Sequence, residues 1–239
     1  MLFWNEEQAE VLFSDVSRCI VTGEYGSGKT WIVLEKMKRL ILNKGGDNHR
    51  GIFISCLLPL YNYSDKFVPP IYNIIMREHF DKLVNNLRQA NGIDVQWKFY
   101  SAQEICEKMG TPVTEEGFYL NLQQFIKNLS QEDGVTSVFC DEFGDGMIKR
   151  EWEDTSENHM NEEILRNVVI NLNDNHCPEI KTLIISLHPN CDVKAFQHCG
   201  VSTIYLKNVM RNTANIYNIN QESFRGKTFH NFRTSTDKT

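Results

Sequence analysis

The chain has 239 residues, 41% hydrophobic and 23% charged, a soluble globular balance long enough for one large α/β domain or two small ones. A formal net charge of −6 argues against a surface coated in base for nucleic acid, although residues Glu132 to Glu163 run acidic and the stretch from Lys207 onward is mildly basic. Seven irregularly spaced cysteines do not make a disulfide framework. With no signal-peptide pattern and no apolar run near the ~20 residues of a membrane span, the expectation is an intracellular chain with reduced thiols and no membrane partner.

In chain order, Phe3 to Phe13 has apolar positions at helical spacing, with Asn5 as its cap. Arg18 to Thr22 reads as the first strand. Gly23-Glu24-Tyr25-Gly26-Ser27-Gly28-Lys29-Thr30 follows it and opens a helix expected to run from Lys29 to Asn43, stopped by Gly45-Gly46. Gly51 to Cys56 is a continuous apolar strand of the buried parallel kind. Pro69-Pro70 opens a longer helix closed by Asn91-Gly92, for which the spacing puts Ile71, Ile74, Ile75, Leu83, Val84 and Leu87 inside.

Asp94 to Tyr100 reads as a third strand, and Ser101 to Glu104 has the spacing of a capping box for a short helix ending at Gly110. Phe118, Leu122, Phe125, Ile126 and Leu129 mark another helix. Val135 to Glu142 is a strand ending in two carboxylates, followed by an acidic excursion to about His159 and a helix from Asn161 to Leu172. Strands Thr182 to Ser186 and Val201 to Leu206 complete the pattern. Strands alternating with helices imply an α/β fold, a mostly parallel sheet with helices on both faces. The expected domain spans 1–206. Residues 207–239 read as the threshold of a second lobe or a fraying tail.

The G-x-x-x-x-G-K-[ST] run between a strand and a helix is a phosphate-binding loop. Gly23, Gly26, Ser27 and Gly28 let the backbone point N–H groups at one anion, and the helix N-terminus adds its dipole. Lys29 is placed to reach the β- and γ-phosphates, and Thr30 to ligate Mg²⁺. A carboxylate at the end of another parallel strand completes such a site. Asp141 is the expected second metal group, and Glu142 the group that positions or deprotonates an attacking water. The strand-end run Ser186-Leu187-His188-Pro189-Asn190 offers Ser186, His188 or Asn190 as a γ-phosphate sensor. Cys177, Cys191, Cys199, His176 and His198 lack zinc-knuckle spacing and read as core thiols and ordinary histidines. Trp31, Phe80, Trp97 and Phe125 read as core aromatics. No Asn/Thr-Lys-x-Asp element marks a guanine pocket, and no arginine-rich lid marks a small-molecule kinase.

The order of elements resembles superfamily 1 helicases of the UvrD/Rep type. Asn5 to Val11 resembles their Q motif, Gly23 to Thr30 motif I, Ile54 to Leu58 loosely motif Ia, Asp141-Glu142 motif II, and Leu206 to Ile216 motif IV. The resemblance implies a RecA-like fold and Mg·ATP hydrolysis. It makes Gln8 the adenine contact, Lys29 and Glu142 catalytic, and Arg211 a γ-phosphate contact. It also implies single-stranded nucleic acid as a partner once a second lobe is supplied. Two departures stand out: Ser186 to Asn190 replaces the family's G-D-x-x-Q run, and Met210 stands where motif IV has tyrosine. The rival expectation is a nucleotide-switched signalling module indifferent to nucleic acid.

Overall fold

The computed structural model describes residues 4–43, 49–61, 67–68, 70–92, 94–144, 155–173, 177–189 and 191–207. It is an α/β protein built on a six-stranded sheet ordered β5-β2-β6-β7-β1-β8, with every neighbouring pair parallel. The strands are β1 (Arg18–Gly23), β2 (Arg50–Ser55), β5 (Gln96–Ser101), β6 (Ser137–Phe143), β7 (Thr182–Leu187) and β8 (Ser202–Leu206). Strands β1 and β7 are buried along their whole length, which is why their sequences read as unbroken apolar runs rather than as alternation. A two-residue antiparallel hairpin, β3 (Leu60–Tyr61) with β4 (Phe67–Val68), sits outside the main sheet.

Alternate strand residues feed two helical layers. Cys19, Val21, Phe53, Phe99, Phe139 and Ile184 pack with α1 (Glu6–Phe13), α2 (Lys29–Asn43) and α3 (Ile71–Asn91). Ile20, Ile52, Ile54, Val138, Leu183 and Ile185 pack with α4 (Ala102–Met109), α5 (Glu115–Asp133) and α6 (Thr155–Asn171). Helices therefore cover both faces, as the alternation of elements requires. Helix α2 buries Ile32, Val33, Met37 and Ile41 completely or nearly so. Each such side chain contributes about 2 kcal/mol relative to exposure, so Met37→Asp would detach the helix from the sheet. Lys36 ties α2 to the end of α1, donating to Val11 O, Ser14 O and Ser14 Oγ.

The local signals behave as their chemistry dictates. Asn5 and Gln8 form a capping box on α1, and Ser101 and Glu104 one on α4. Gly92, Gly110 and Gly134 end α3, α4 and α5 in the left-handed conformation. Three expectations need correction. Helix α6 begins at Thr155 rather than Asn161, because its first turns carry no apolar periodicity to announce them. Helix α3 buries Met76, Phe80, Val84 and Leu87, whereas Ile71, Ile74 and Ile75 are exposed by 72%, 51% and 47%. Val84 and Leu87 face inward as expected; the three isoleucines do not, and in that first turn it is Tyr72 and Asn73 that make the inward contacts. Trp31, expected in the core, is partly exposed, while Phe80, Trp97 and Phe125 are buried.

Candidate functional site

The glycine-rich loop leaves β1 at its carboxyl end and enters α2 at Lys29. Gly23 has φ 150°, and a Cβ there would lie 2.5 Å from the Leu206 carbonyl oxygen of neighbouring β8. Gly28 has φ 88°, and its Cβ would meet the Gln8 amide nitrogen at 2.8 Å. Both positions thus need glycine for backbone sign and for space. Gly26 lies between them at φ 80°. The loop is closed by Ser27 N donating to Glu24 O at 3.2 Å, and the buried Ser27 hydroxyl has no hydrogen-bond partner.

Lys29 is 5% exposed. Its ammonium donates to Gly23 O at 2.7 Å and Glu24 O at 3.2 Å, two of the three hydrogens it carries. Burial pulls its pKa below the usual lysine range, while the charges of Glu142, Asp141 and Glu24 push back. Lys29 is thus a buried cation held by carbonyls at a helix N-terminus with three acids nearby.

The acids arrive on β6, two places from β1 in the sheet with β7 between. Asp141 is fully buried, and its Oδ1 has no hydrogen-bond partner. The register of β6 against β7 slips between Cys140 and Phe143, and Glu142 there takes φ 56°. A non-glycine residue in that conformation costs on the order of 1 kcal/mol or more and is retained where the surroundings fix it. The slip turns Glu142 away from the ladder towards the loop after β7. There His188 Nε2 lies 3.9 Å from Glu142 Oε2 and is hydrogen-bonded to the Tyr25 hydroxyl at 3.0 Å. The rings of Tyr25 and His188 meet edge to face with centroids 5.6 Å apart. His188 therefore lies between the glycine-rich loop and the second acid, bonded to the loop; Asn190 lies outside the described residues.

A third wall comes from α3. The Tyr72 hydroxyl is 3.1 Å from Thr30 Oγ1 and donates to Asp141 Oδ2. Burial first, then the charges of Asp141 and Glu142, hold the phenol far above its usual pKa, so it stays a neutral donor. The adjacent Asn73 accepts from Ser55 Oγ at 2.5 Å and donates to Leu57 O at 3.1 Å. These two polar residues dock the start of α3 on the carboxyl ends of β2 and β6. Between α3 and the loop lies a cleft of about 350 Å³ whose walls include Thr30, Trp31, Tyr72, Met76 and Glu142, a size that suits a small-molecule ligand.

Thr30 Oγ1 and Asp141 Oδ1 are hard oxygen donors of the type Mg²⁺ takes. Among the described residues no three His, Cys, Asp or Glu side chains gather as a metal cage. The donor set is that of an ion which keeps waters and shares phosphate oxygens. Cys177, Cys191 and Cys199 are buried free thiols, and burial pushes the Cys191 thiol up to about 12; His176 lies outside the described residues.

The expected site residues are thus brought together with one displacement and one omission. Gly23, Gly26, Ser27, Gly28, Lys29, Thr30, Asp141 and Glu142 share the carboxyl edge of the sheet. Gln8 is buried behind the loop, accepting from Asn5 N at 3.2 Å and donating to Ser27 O at 2.9 Å. Arg211 and Met210 lie outside the described residues. Tyr72 was invisible to motif reading because a lone tyrosine distant from the loop carries no spacing signal. Among the described residues no helix is long and apolar enough to cross a membrane. No protein-family model matches the chain, and comparison with curated proteins finds no match.

Proposed function

We propose that this chain binds and hydrolyses a nucleoside triphosphate, ATP by its resemblance to superfamily 1 helicases, at the carboxyl edge of its sheet. One observation carries the reading: a buried lysine in a glycine-rich loop faces a buried acid with an unpartnered oxygen. In this reading the loop N–H groups and Lys29 hold the β- and γ-phosphates. Thr30 and Asp141 would hold Mg²⁺, which when bound neutralises charge on the phosphate oxygens. Glu142 orients the attacking water and accepts its proton. Arg211 would reach the γ-phosphate from a second lobe beginning near residue 207.

Gln8 supports the loop from behind, and the resemblance also gives it the adenine. Comparing ATP with GTP for Gln8→Ala tests that: an unchanged preference leaves only the supporting role. The decisive experiment is calorimetry of the full chain with Mg·ATP. Micromolar binding that Lys29→Ala abolishes supports the proposal, and absence of heat from a folded sample overturns it. Stimulation of turnover by single-stranded nucleic acid would favour the helicase-type reading. The second reading, a nucleotide-switched regulatory module, is favoured by the Tyr72 contact, which ties the site to an outlying helix. Turnover unaffected by nucleic acid is its signature.

A further inference from the structure

The residues of the phosphate loop and β6 account for the site except at one point. Thr30 and Asp141 do not face open space: the Tyr72 hydroxyl stands between them, 3.1 Å from Thr30 Oγ1 and donating to Asp141 Oδ2. An ion held by both Thr30 and Asp141 would compete with the phenol for these same side-chain oxygens. The O–H dipole supplies one hydrogen to a fully buried carboxylate, doing weakly what a cation would do strongly, and leaves Oδ1 without a partner.

The turn that carries Tyr72 is separable from the rest of its helix. Helix α3 starts at Pro70 with no side-chain cap, so its first N–H groups are not fixed by a neighbouring hydroxyl or carboxylate. Ile71, Ile74 and Ile75 face outward, so moving them uncovers no core. The apolar anchors, Met76, Phe80, Val84 and Leu87, begin only in the second turn. Besides the Tyr72 ring, which packs against the core beside Met76 and Phe80, what holds the first turn is polar: Tyr72 to Thr30 and Asp141, and Asn73 to Ser55 and Leu57.

We propose that Tyr72 is a plug in the metal position. The first turn of α3 leaves the site when magnesium and triphosphate enter together, so loading of the pocket sets the position of that turn. The inference rests on the Mg·nucleotide reading above and adds a residue and a moving element to it.

The test uses the full chain and Tyr72→Phe, which keeps the ring and its packing and removes only the hydroxyl. ATP is titrated calorimetrically, once with magnesium and once with EDTA, and amide hydrogen exchange is followed over residues 72–75. Expected are Mg·ATP binding about tenfold tighter in Tyr72→Phe, the worth of one hydrogen bond to a charged acceptor, and unchanged binding of ATP in EDTA. Faster exchange over 72–75 when the wild-type chain takes up Mg·ATP is also expected. Mg·ATP uptake by Tyr72→Phe alone would support the plug as well. Equal or weaker Mg·ATP binding by the variant, or exchange over 72–75 that Mg·ATP leaves unchanged, overturns the plug and leaves the nucleotide site standing. No uptake by either protein in either condition overturns both.

Discussion

At the amino-terminal edge of the sheet the charged groups are answered from within the chain. Arg18 donates to Leu172 O, Cys177 O and Ile180 O. His49 Nε2 meets Ser137 Oγ at 2.8 Å. A cleft of about 300 Å³ opens there too, but its cations are engaged: Arg50 with Asp133 O, Lys98 with Asp133 Oδ2 and Arg88 with Val95 O. The buried polar atoms left over towards this edge, among the described residues, are the Trp97 indole nitrogen and Ser130 Oγ near the end of α5. At the carboxyl-terminal edge Ser27 Oγ, Asp141 Oδ1 and Ser186 Oγ are all buried without partners. Buried polar groups that lack partners are costly, and a fold keeps a cluster of them where something else supplies the partner. Similar residue types thus make a fastening at one end of the strands and, in the proposed reading, a receptor at the other.

The contrast breaks most visibly at the receptor end. Glu142→Gln is expected to lower ATP turnover by about 10²- to 10³-fold while calorimetric affinity stays nearly constant; unchanged turnover would remove Glu142 as the water-positioning group. Lys29→Met should weaken Mg·ATP binding by at least about 100-fold, the loss of a charge-assisted phosphate contact, and cost less stability than Arg18→Met, because relief of a buried ammonium offsets the donor lost by Gly23 O and Glu24 O. A loss of stability as large as that of Arg18→Met would make Lys29 a fastening like Arg18.

At the fastening end Arg18→Met should cost about 3 kcal/mol in urea unfolding, since three carbonyls lose a buried donor, with the nucleotide affinity of the remaining folded protein unchanged. Smaller still, Ser137→Ala should cost about 1 kcal/mol and leave turnover alone. The last test is alkaline. Folding lowers the Lys29 pKa from 10.5, so between the folded value and 10.5 the unfolded chain holds more protons, and Lys29 contributes stability that rises with pH. Subtracting the stability–pH curve of Lys29→Met from that of wild type should leave that rising slope, and a flat difference would show that folding does not perturb Lys29.

Much of this was legible beforehand, for reasons that differ by element. Helix α2 matched its expected bounds because a glycine-rich loop and one apolar stripe point to the same residues. Strands β1, β2, β6 and β7 were readable as apolar runs because helices cover both faces. The later turns of α3 were readable from Val84 and Leu87, but its first turn was not, since Ile71, Ile74 and Ile75 look like core and the tertiary contacts there belong to Tyr72 and Asn73. Helix α6 begins in a polar stretch without periodicity, and β3 and β4 are too short to carry any. Within the site, Lys29, Thr30, Asp141 and Glu142 came from motif spacing. The strained backbone of Glu142, the Tyr25–His188 contact and the Tyr72 bridge depend on which strands become neighbours, which spacing along the chain does not encode.

Two consecutive residues of α1 look in opposite directions. Gln8 touches the back of the phosphate loop, while the Glu7 carboxylate accepts from Lys207 N at 2.7 Å, just beyond β8. The chain leaving β8 and the glycine-rich loop are thus bonded to neighbouring residues of one short helix.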